Sequence, residues 1–407
     1  SNGSLQITGL KASLTETISY FSSPFLVSVL MSIAVGAALE KTTIINRVLL
    51  AFMKKLGGNA KRVILSLWFT ILIISSVNAN ITAAAVVLPF AWKFLSLYQD
   101  KTKKKQTAKC LLIGLCIAVV LGGMITPLGN GCNLVVVQQM ENAGYQLNFA
   151  VWAAFGIPIC VVAMIFSSFL LFKMYPPAEL GQNEILYFQN SIQIGKHLEK
   201  KEKILLWVYG ILIGLCLLCS FVPNLLGNID AMWLLAIAGT ILIFPCGILK
   251  WKDLENSGAF TSTFFICSFM MMSGILQKWN VVDVIINGIE KIVGGNLSIF
   301  LIIMILGYLC IPLGDLLPSA VVPTILTIPL IQLAQSCGIH PTLMVIPVAL
   351  YAGASWMLPL DAVAIMTYDK GYYSVGDMFK PGVVMTAVFP PLTAGLTIII
   401  GHFIGLI

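Results

Sequence analysis

Between positions 292 and 360 the chain carries a single formal charge, Asp315. Further uncharged runs at 63–92, 111–140, 149–172, 204–229, 231–249 and 381–407 reach or approach the roughly 20 residues that cross a bilayer as a helix. With 58% hydrophobic and 10% charged residues, the 407-residue chain has too few charges to cover a soluble globule. The solvent for most of it is lipid, where a chain without alternating strand patterns satisfies its backbone only as helix. The fold class is an all-α polytopic membrane protein of the cell membrane.

The net charge of +7 does not indicate nucleic acid, because the basic residues form no single patch. All of the 24 Lys and Arg except Lys11, Lys278 and Lys291 lie at 41–62, 93–109, 173–203, 250–252 and 370–380, while 139–149 and 223–229 hold none. This asymmetry places the basic segments on the cytoplasmic side. Residues 1–22 form a mostly polar segment without the apolar stretch of a cleavable signal peptide.

Enzyme chemistry has little to work with. Most of the ten cysteines sit in apolar runs, where a thiol behaves as a small hydrophobe, and no CxxC spacing is present. His197, His340 and His402 are far apart, HExxH is absent, and no organic cofactor is called for. Asp315 and Asp361 are formally a pair of membrane aspartates, the one feature an intramembrane protease would share. A channel needs a continuous polar stripe or charged ring, which short polar interruptions do not supply.

An internal repeat organises the chain. SPFLVSVLMSIAVGAALEKTTIINRV at 23–48 lines up with SGAFTSTFFICSFMMMSGILQKWNVVDVI at 257–285. Each is followed by an apolar stretch that polar residues interrupt and that closes on a proline, VVLPF at 86–90 and LTIPL at 326–330, then by a second interrupted stretch, MITPLGNGCN at 124–133 and MLPLDAVAI at 357–365. The charge rule gives the copies opposite orientations, the arrangement of secondary transporters with midplane sites. The expected organisation is a first repeat at 23–172, a cytoplasmic linker at 173–203 and a second repeat at 204–407. Each repeat holds a re-entrant hairpin (63–98 and 296–336) and a broken helix (110–140 and 341–370).

The stretch SSVNANITAAAVVLP at 75–89 packs serines, asparagines and a threonine into membrane depth, with basic residues on both flanks of its run. A run that returns to its own side is a hairpin with its tip at Val77 to Ile81. Asn78, Asn80 and Thr82 are placed to cap the helix that follows, whose N-terminus suits an oxyanion while broken-backbone carbonyls suit a small cation. Pro127, Gly129 and Gly131 break the next helix at matching depth, aiming Thr126, Asn130 and Asn133 at the same place. A kinked helix whose polar groups satisfy their own backbone explains one such break; four at repeat-related positions favour a site.

ALEKTTIINRVL, NITAAAVVLPF and GGMITPLGNGCNLV together resemble the divalent anion:sodium symporter family, marked by an SNT-type hairpin tip and a TPxGxxxN break. The resemblance runs from about residue 23 to the end. It implies an inverted-repeat homodimer with elevator-type motion, carrying di- or tricarboxylates or sulfate with sodium. It assigns Asn80, Thr126, Pro127, Gly129 and Asn133 to a sodium site that touches one substrate carboxylate.

The chain departs from the pattern in places. Ala79 and Ile81 replace the serine and threonine of the first tip, and the second tip reads Ser319, Ala320, Val321, without the asparagine. Asp315 precedes that tip, and Asp361 stands where a neutral turn is usual. A mid-membrane carboxylate costs at least ~2.5 to 3.5 kcal/mol unless it pairs or protonates. A helix cap and a cation or proton ligand are both open for each. Symmetry also calls for two helices ahead of residue 23, which residues 1–22 do not supply.

The reading is a secondary transporter of a small divalent anion, coupled to Na+ or H+. Asn80, Thr82, Asn130, Gly131, Ser319 and Asp361 are expected at the substrate. Asn78, Asn80, Thr126, Gly129, Asn133, Asp315 and Asp361 are expected around coupling cations, with Na+ at Asn80, Thr126, Gly129 and Asn133. The alternatives are a sulfate transporter or a related ion transporter, such as a sodium/proton antiporter or an arsenite-type permease.

Overall fold

The computed structural model describes residues 24–195, 197–221, 231–243, 245–261, 263–265, 267–268, 271 and 298–407. The expectations for 1–22, the loop 223–229, 272–285 and the first two residues of the second hairpin lie outside the described residues. Among those described, the chain is all helical, and five helices are long and apolar enough to cross a membrane, or six with one bent pair.

The bent pair is α1 (Pro24–Glu40) and α2 (Ile44–Leu56), which meet at 64°. Helix α2 buries Ile45, Leu49, Leu50 and Met53 along one face and places Lys54 and Lys55 in its last turn, where they favour the negative end of the helix dipole. Gly57 ends it at φ 91°, a conformation that only glycine adopts freely.

Helices α3 (Ala60–Ser75) and α4 (Asn80–Ser96) form the first pair, joined by the four residues Ser76 to Ala79. The tip is one residue earlier than expected, and α4 starts at Asn80 instead of near Thr82. Ser75 accounts for the shift: its hydroxyl reaches across the turn to Asn80 Oδ1 at 2.7 Å. Helix α5 (Lys101–Ile125) runs almost wholly enclosed among α3, α4 and α7. The basic stretch expected as loop is its first turns, because Asp100 caps Thr102 N at 2.7 Å and the Lys and Gln residues that follow are good helix formers. Trp68 of α3 lies flat on Gly114 of α5 and donates its indole N–H to Leu111 O at 3.0 Å. In lipid, close packing of this kind, rather than hydrophobic burial, holds helices together.

After α5 come a 3₁₀ turn (Pro127–Gly129), α6 (Gly131–Asn142) and α7 (Phe149–Met174). The connecting segment carries the short α8 (Gln182–Asn190) and is hydrogen-bonded to the basic end of the molecule: Tyr98 donates to Ala178 O at 2.7 Å, and Arg47 to the carbonyls of Gly195 and His197 at 2.9 Å each. Helix α10 (Ala231–Ile243) packs on α1 and on α9 (Lys200–Phe221), and the short α11 (Trp251–Asn256) is tied to the residue just after α1 by the Lys41–Asp253 ion pair at 2.8 Å. That ion pair and its hydrogen bond hold the Asp253 carboxyl below its ordinary range.

A second pair, α12 (Ile299–Leu316) and α13 (Val321–Ser336), is again joined by four residues, 317–320. It leads into α14 (Thr342–Ala352), an irregular stretch at 353–361, α15 (Ala362–Tyr368) and α16 (Val375–Phe403). Ser374 and Asp377 form a capping box at the start of α16.

Candidate functional site

Four helix N-termini open at the two tips and the two breaks, and they differ in how they are capped. At the tips α4 and α13 begin on Ala79 and Ala320, which have no side-chain acceptor. The first-turn N–H groups of each helix lack a capping side chain. At the breaks α6 begins on Asn130, whose Oδ1 accepts from Cys132 N at 3.3 Å, and α15 begins on Asp361, whose Oδ2 accepts from Val363 N at 3.1 Å. Asp361 thus does for the second break what Asn130 does for the first, and it brings a negative charge.

The first tip and the first break are built into each other. Thr126 Oγ1 donates to Ser76 O in the tip and accepts from Leu128 N at 3.1 Å. Asn133 closes the break, its Nδ2 donating to Gly123 O at 2.8 Å and to Thr126 O at 3.0 Å. Trp152 of α7 caps another carbonyl of the α5 end, Met124 O, at 3.0 Å. These bonds pair Gly123 O and Met124 O, carbonyls that the broken helix leaves without their helical partners, and add a second donor to Thr126 O.

Gly129 sits where three backbone segments cross. A Cβ there would lie 2.7 Å from both Gly123 O and Ser75 O, so only glycine fits. Asn80 Oδ1 lies against Gly123, where a Cβ would stand, and Asn133 bonds the carbonyl of the same residue, so Asn80 and Asn133 meet at one glycine. Ser75 O, Gly123 O and Asn80 Oδ1 thereby gather around the Gly123–Gly129 crossing. Thr82 is buried within the first turn of α4. Asn78 does not join this group: its Oδ1 accepts from Tyr209 of α9 at 3.2 Å and its side chain lies against Gly36 of α1.

In the second half, Asp315 is only 4% exposed and accepts from Met357 N at 3.1 Å and Leu358 N at 3.4 Å. The carboxylate holds the irregular stretch 353–361, as Asn133 holds the first break. Asp361 is near enough to interact with it electrostatically. Ser355 Oγ adds a bond to Gly314 O at 3.0 Å. The halves also touch: Ser319 of the second tip lies beside the Cys132 thiol, next to Gly131 at the start of α6, and a Cβ on Gly353 would be 3.3 Å from Met124 Cε.

Sequence reasoning missed Ser75, Gly123, Cys132 and Tyr209. Ser75 was visible in the polar stretch; Gly123 and Cys132 adjoin marked residues but bear no motif of their own. Tyr209 gives no signal, since it lies in a span that reads as lipid-facing.

Paired helices with uncapped tips and two interrupted helices abutting at their breaks define a multi-pass membrane transporter. A family model described as the sodium:sulfate symporter transmembrane region matches residues 3–407, and the chain belongs to that family. It is 22% identical over 340 residues to an uncharacterized transporter of Haemophilus influenzae, covering 81% of this chain and 71% of that one. It is 20% identical to the sodium-dependent dicarboxylate transporter SdcS of Staphylococcus saprophyticus, with 85% and 70% covered, and 22% identical to the L-tartrate/succinate antiporter of Escherichia coli, with 70% and 58% covered. Among solved structures, the Alcanivorax borkumensis YdaH transporter matches 98% of this chain and 90% of its own, at a TM-score of 0.59 and 12% identity, a likeness of fold.

Proposed function

We propose that this transporter moves a small divalent anion, a di- or tricarboxylate, together with Na+, by an elevator-type motion of the paired and interrupted helices within a homodimer. The observation that carries the reading is the joined first tip and break. It offers uncapped N–H groups at Ala79 for an oxyanion, beside the oxygens of Ser75, Gly123 and Asn80 for a hard cation. Names of relatives support the substrate class: one is a sodium-dependent dicarboxylate transporter, another a tartrate/succinate antiporter.

The arrangement explains how a dianion is held without a counter-ionic side chain. Arg47 and Arg62 are the only arginines, and no Lys lies within 63–92, 110–140 or 299–369. Helix N-termini, amides, hydroxyls and a co-bound cation supply the compensation. Asn130, Gly131, Thr82 and Ser319 line the substrate side, and Asn80, Thr126, Gly129 and Asn133 shape the cation side. Within that set, Asn133 and Thr126 act through the carbonyls they hold in place. Asp315 and Asp361 favour a second coupling ion, a proton or cation, because a carboxylate near a dianion repels it by several kcal/mol in a low-dielectric site unless neutralised, on the order of Coulomb estimates.

The test is uptake of labelled succinate, citrate and sulfate into proteoliposomes with and without an inward sodium gradient. Accumulation of a dicarboxylate driven by sodium supports the reading. Uptake of none of the three overturns it, and sulfate alone would move the substrate assignment to the inorganic anion.

A further inference from the structure

Asn78 and Tyr209 form a contact that neither the cation cluster nor the uncapped helix end accounts for. Asn78 belongs to the first tip, is 2% exposed, and leans away from Asn80 towards α1. Tyr209 stands on α9, buried, and its hydroxyl meets both Asn78 Oδ1 at 3.2 Å and Val35 O of α1 at 3.0 Å. A Cβ on Gly36 would fall 2.6 Å from Asn78 Oδ1, so the glycine is what lets the amide reach the wall of α1. The tip is pinned, through one phenol, to α9 and to α1, and α10 packs on both of those helices.

The pin is incomplete. Asn78 Nδ2 is buried and has no hydrogen-bond partner among the described residues. A buried donor left unpaired is disfavoured relative to one that finds an acceptor. Seating the tip against α1 and α9 therefore gains the bond from Tyr209 and loses one at Nδ2. Lifting the tip exchanges these terms, since water or a polar ligand then reaches both atoms. The unpaired Nδ2 weakens the seat that the Tyr209 bond makes without cancelling it, so removing that bond shifts the tip towards the lifted arrangement.

We propose that Tyr209 is a positioning residue for transport, whose hydroxyl pins the first tip to α1 through Asn78 and sets how much of the time the tip is seated. The proposal rests on the elevator-type transport proposed above but concerns the pin, which is measurable without knowing the substrate.

The experiment places a cysteine at the tip, Val77→Cys, and follows its alkylation by a maleimide in the reconstituted full chain. Site-specific mass spectrometry separates it from the native thiols. In the Val77→Cys background, Tyr209→Phe is expected to raise the alkylation rate about 2- to 10-fold, the range of one lost hydrogen bond. Asn78→Ala, which removes the unpaired donor together with the accepted bond, should raise it less, and the double variant should go no further than Tyr209→Phe alone. Both variants should alter the maximal rate of anion uptake more than its half-saturation. Unchanged alkylation in Tyr209→Phe, or additive effects in the double variant, overturns the pin. Tyr209→Phe keeps the ring and its packing; if it lowers the thermal midpoint, Asn78→Ser, which retains a hydroxyl within reach of the phenol, decides the matter. Partial restoration of slow alkylation supports the pin, and none overturns it. Failure of anion uptake alone, with alkylation responding as described, would sink the substrate assignment and leave the pin standing.

Discussion

Asn133 Nδ2 lies 3.0 Å from Thr126 O and 2.8 Å from Gly123 O, so one side-chain amide bridges the gap in the first interrupted helix. Asn133→Ala strips the partner from Gly123 O and leaves Thr126 O with only Gly129 N–H at 3.3 Å, which is expected to destabilise the protein by about 1–3 kcal/mol. Asn133→Asp should be worse, since it sets a carboxylate against the same carbonyls. Thermal unfolding of the purified protein, followed by tryptophan fluorescence, checks the order wild type, Ala, Asp.

Gly129→Ala introduces a methyl group 2.7 Å from two carbonyl oxygens that have no room to retreat. The expected result is loss of at least about ten-fold in transport, with the first tip displaced from the break. Gly144→Ala, at a φ of 84° and with no atom near its added methyl, serves as the control that reports backbone strain without crowding of the site. Uptake assays on both variants at equal membrane abundance make the comparison.

Asp361→Asn keeps the cap on α15, because asparagine caps as well as aspartate and Asn130 does the same at the first break. Stability should stay within about 0.5 kcal/mol of wild type. If Asp361 takes part in coupling, transport in the variant loses the wild-type dependence on pH between about pH 5.5 and 8. A variant with both the wild-type rate and the wild-type pH profile would show that Asp361 is only a cap. Asp315→Asn, in contrast, keeps one oxygen to accept from Met357 N and Leu358 N but sets an N–H group against Met357 N, where Oδ2 accepts at 3.3 Å, and is expected to lower the thermal midpoint.

Outside the membrane, Thr342 N donates to His340 Nδ1 at 3.3 Å, and the ring meets Tyr145 edge-on at 5.7 Å. Burial holds the imidazole below its ordinary range. The unfolded chain therefore takes up the proton first, so this contribution to stability is full above the ordinary histidine pKa of about 6.5 and is lost as pH falls below it. His340→Gln should show a smaller drop in thermal midpoint than wild type between about pH 7 and 5.5.

Much of this was legible in the residues, for physical reasons. Charge-free runs of spanning length marked the helices, and polar residues inside them marked all four interruptions, since lipid tolerates such groups only where protein receives them. The roles of individual side chains were less legible. Asn78 and Asn80 are two positions apart and equally polar, yet one faces α9 and the other the break, because the turn at Ser76 to Ala79 rotates them apart. Asn133 read as a ligand and is bonded as a donor strut, since which carbonyls a break orphans depends on where the helix stops. The capping role of Asp361 was open because a cap and a ligand need the same residue at the same place.

The account stands most directly on a dianion held beside a cation and not by a basic side chain. Its measurement is the affinity of the purified, reconstituted transporter for succinate with sodium replaced by choline, at constant ionic strength and fixed pH. The account predicts that affinity falls at least about ten-fold, corresponding to 1.4 kcal/mol or more, and returns when sodium is restored. Succinate affinity unchanged by the removal of sodium would contradict it.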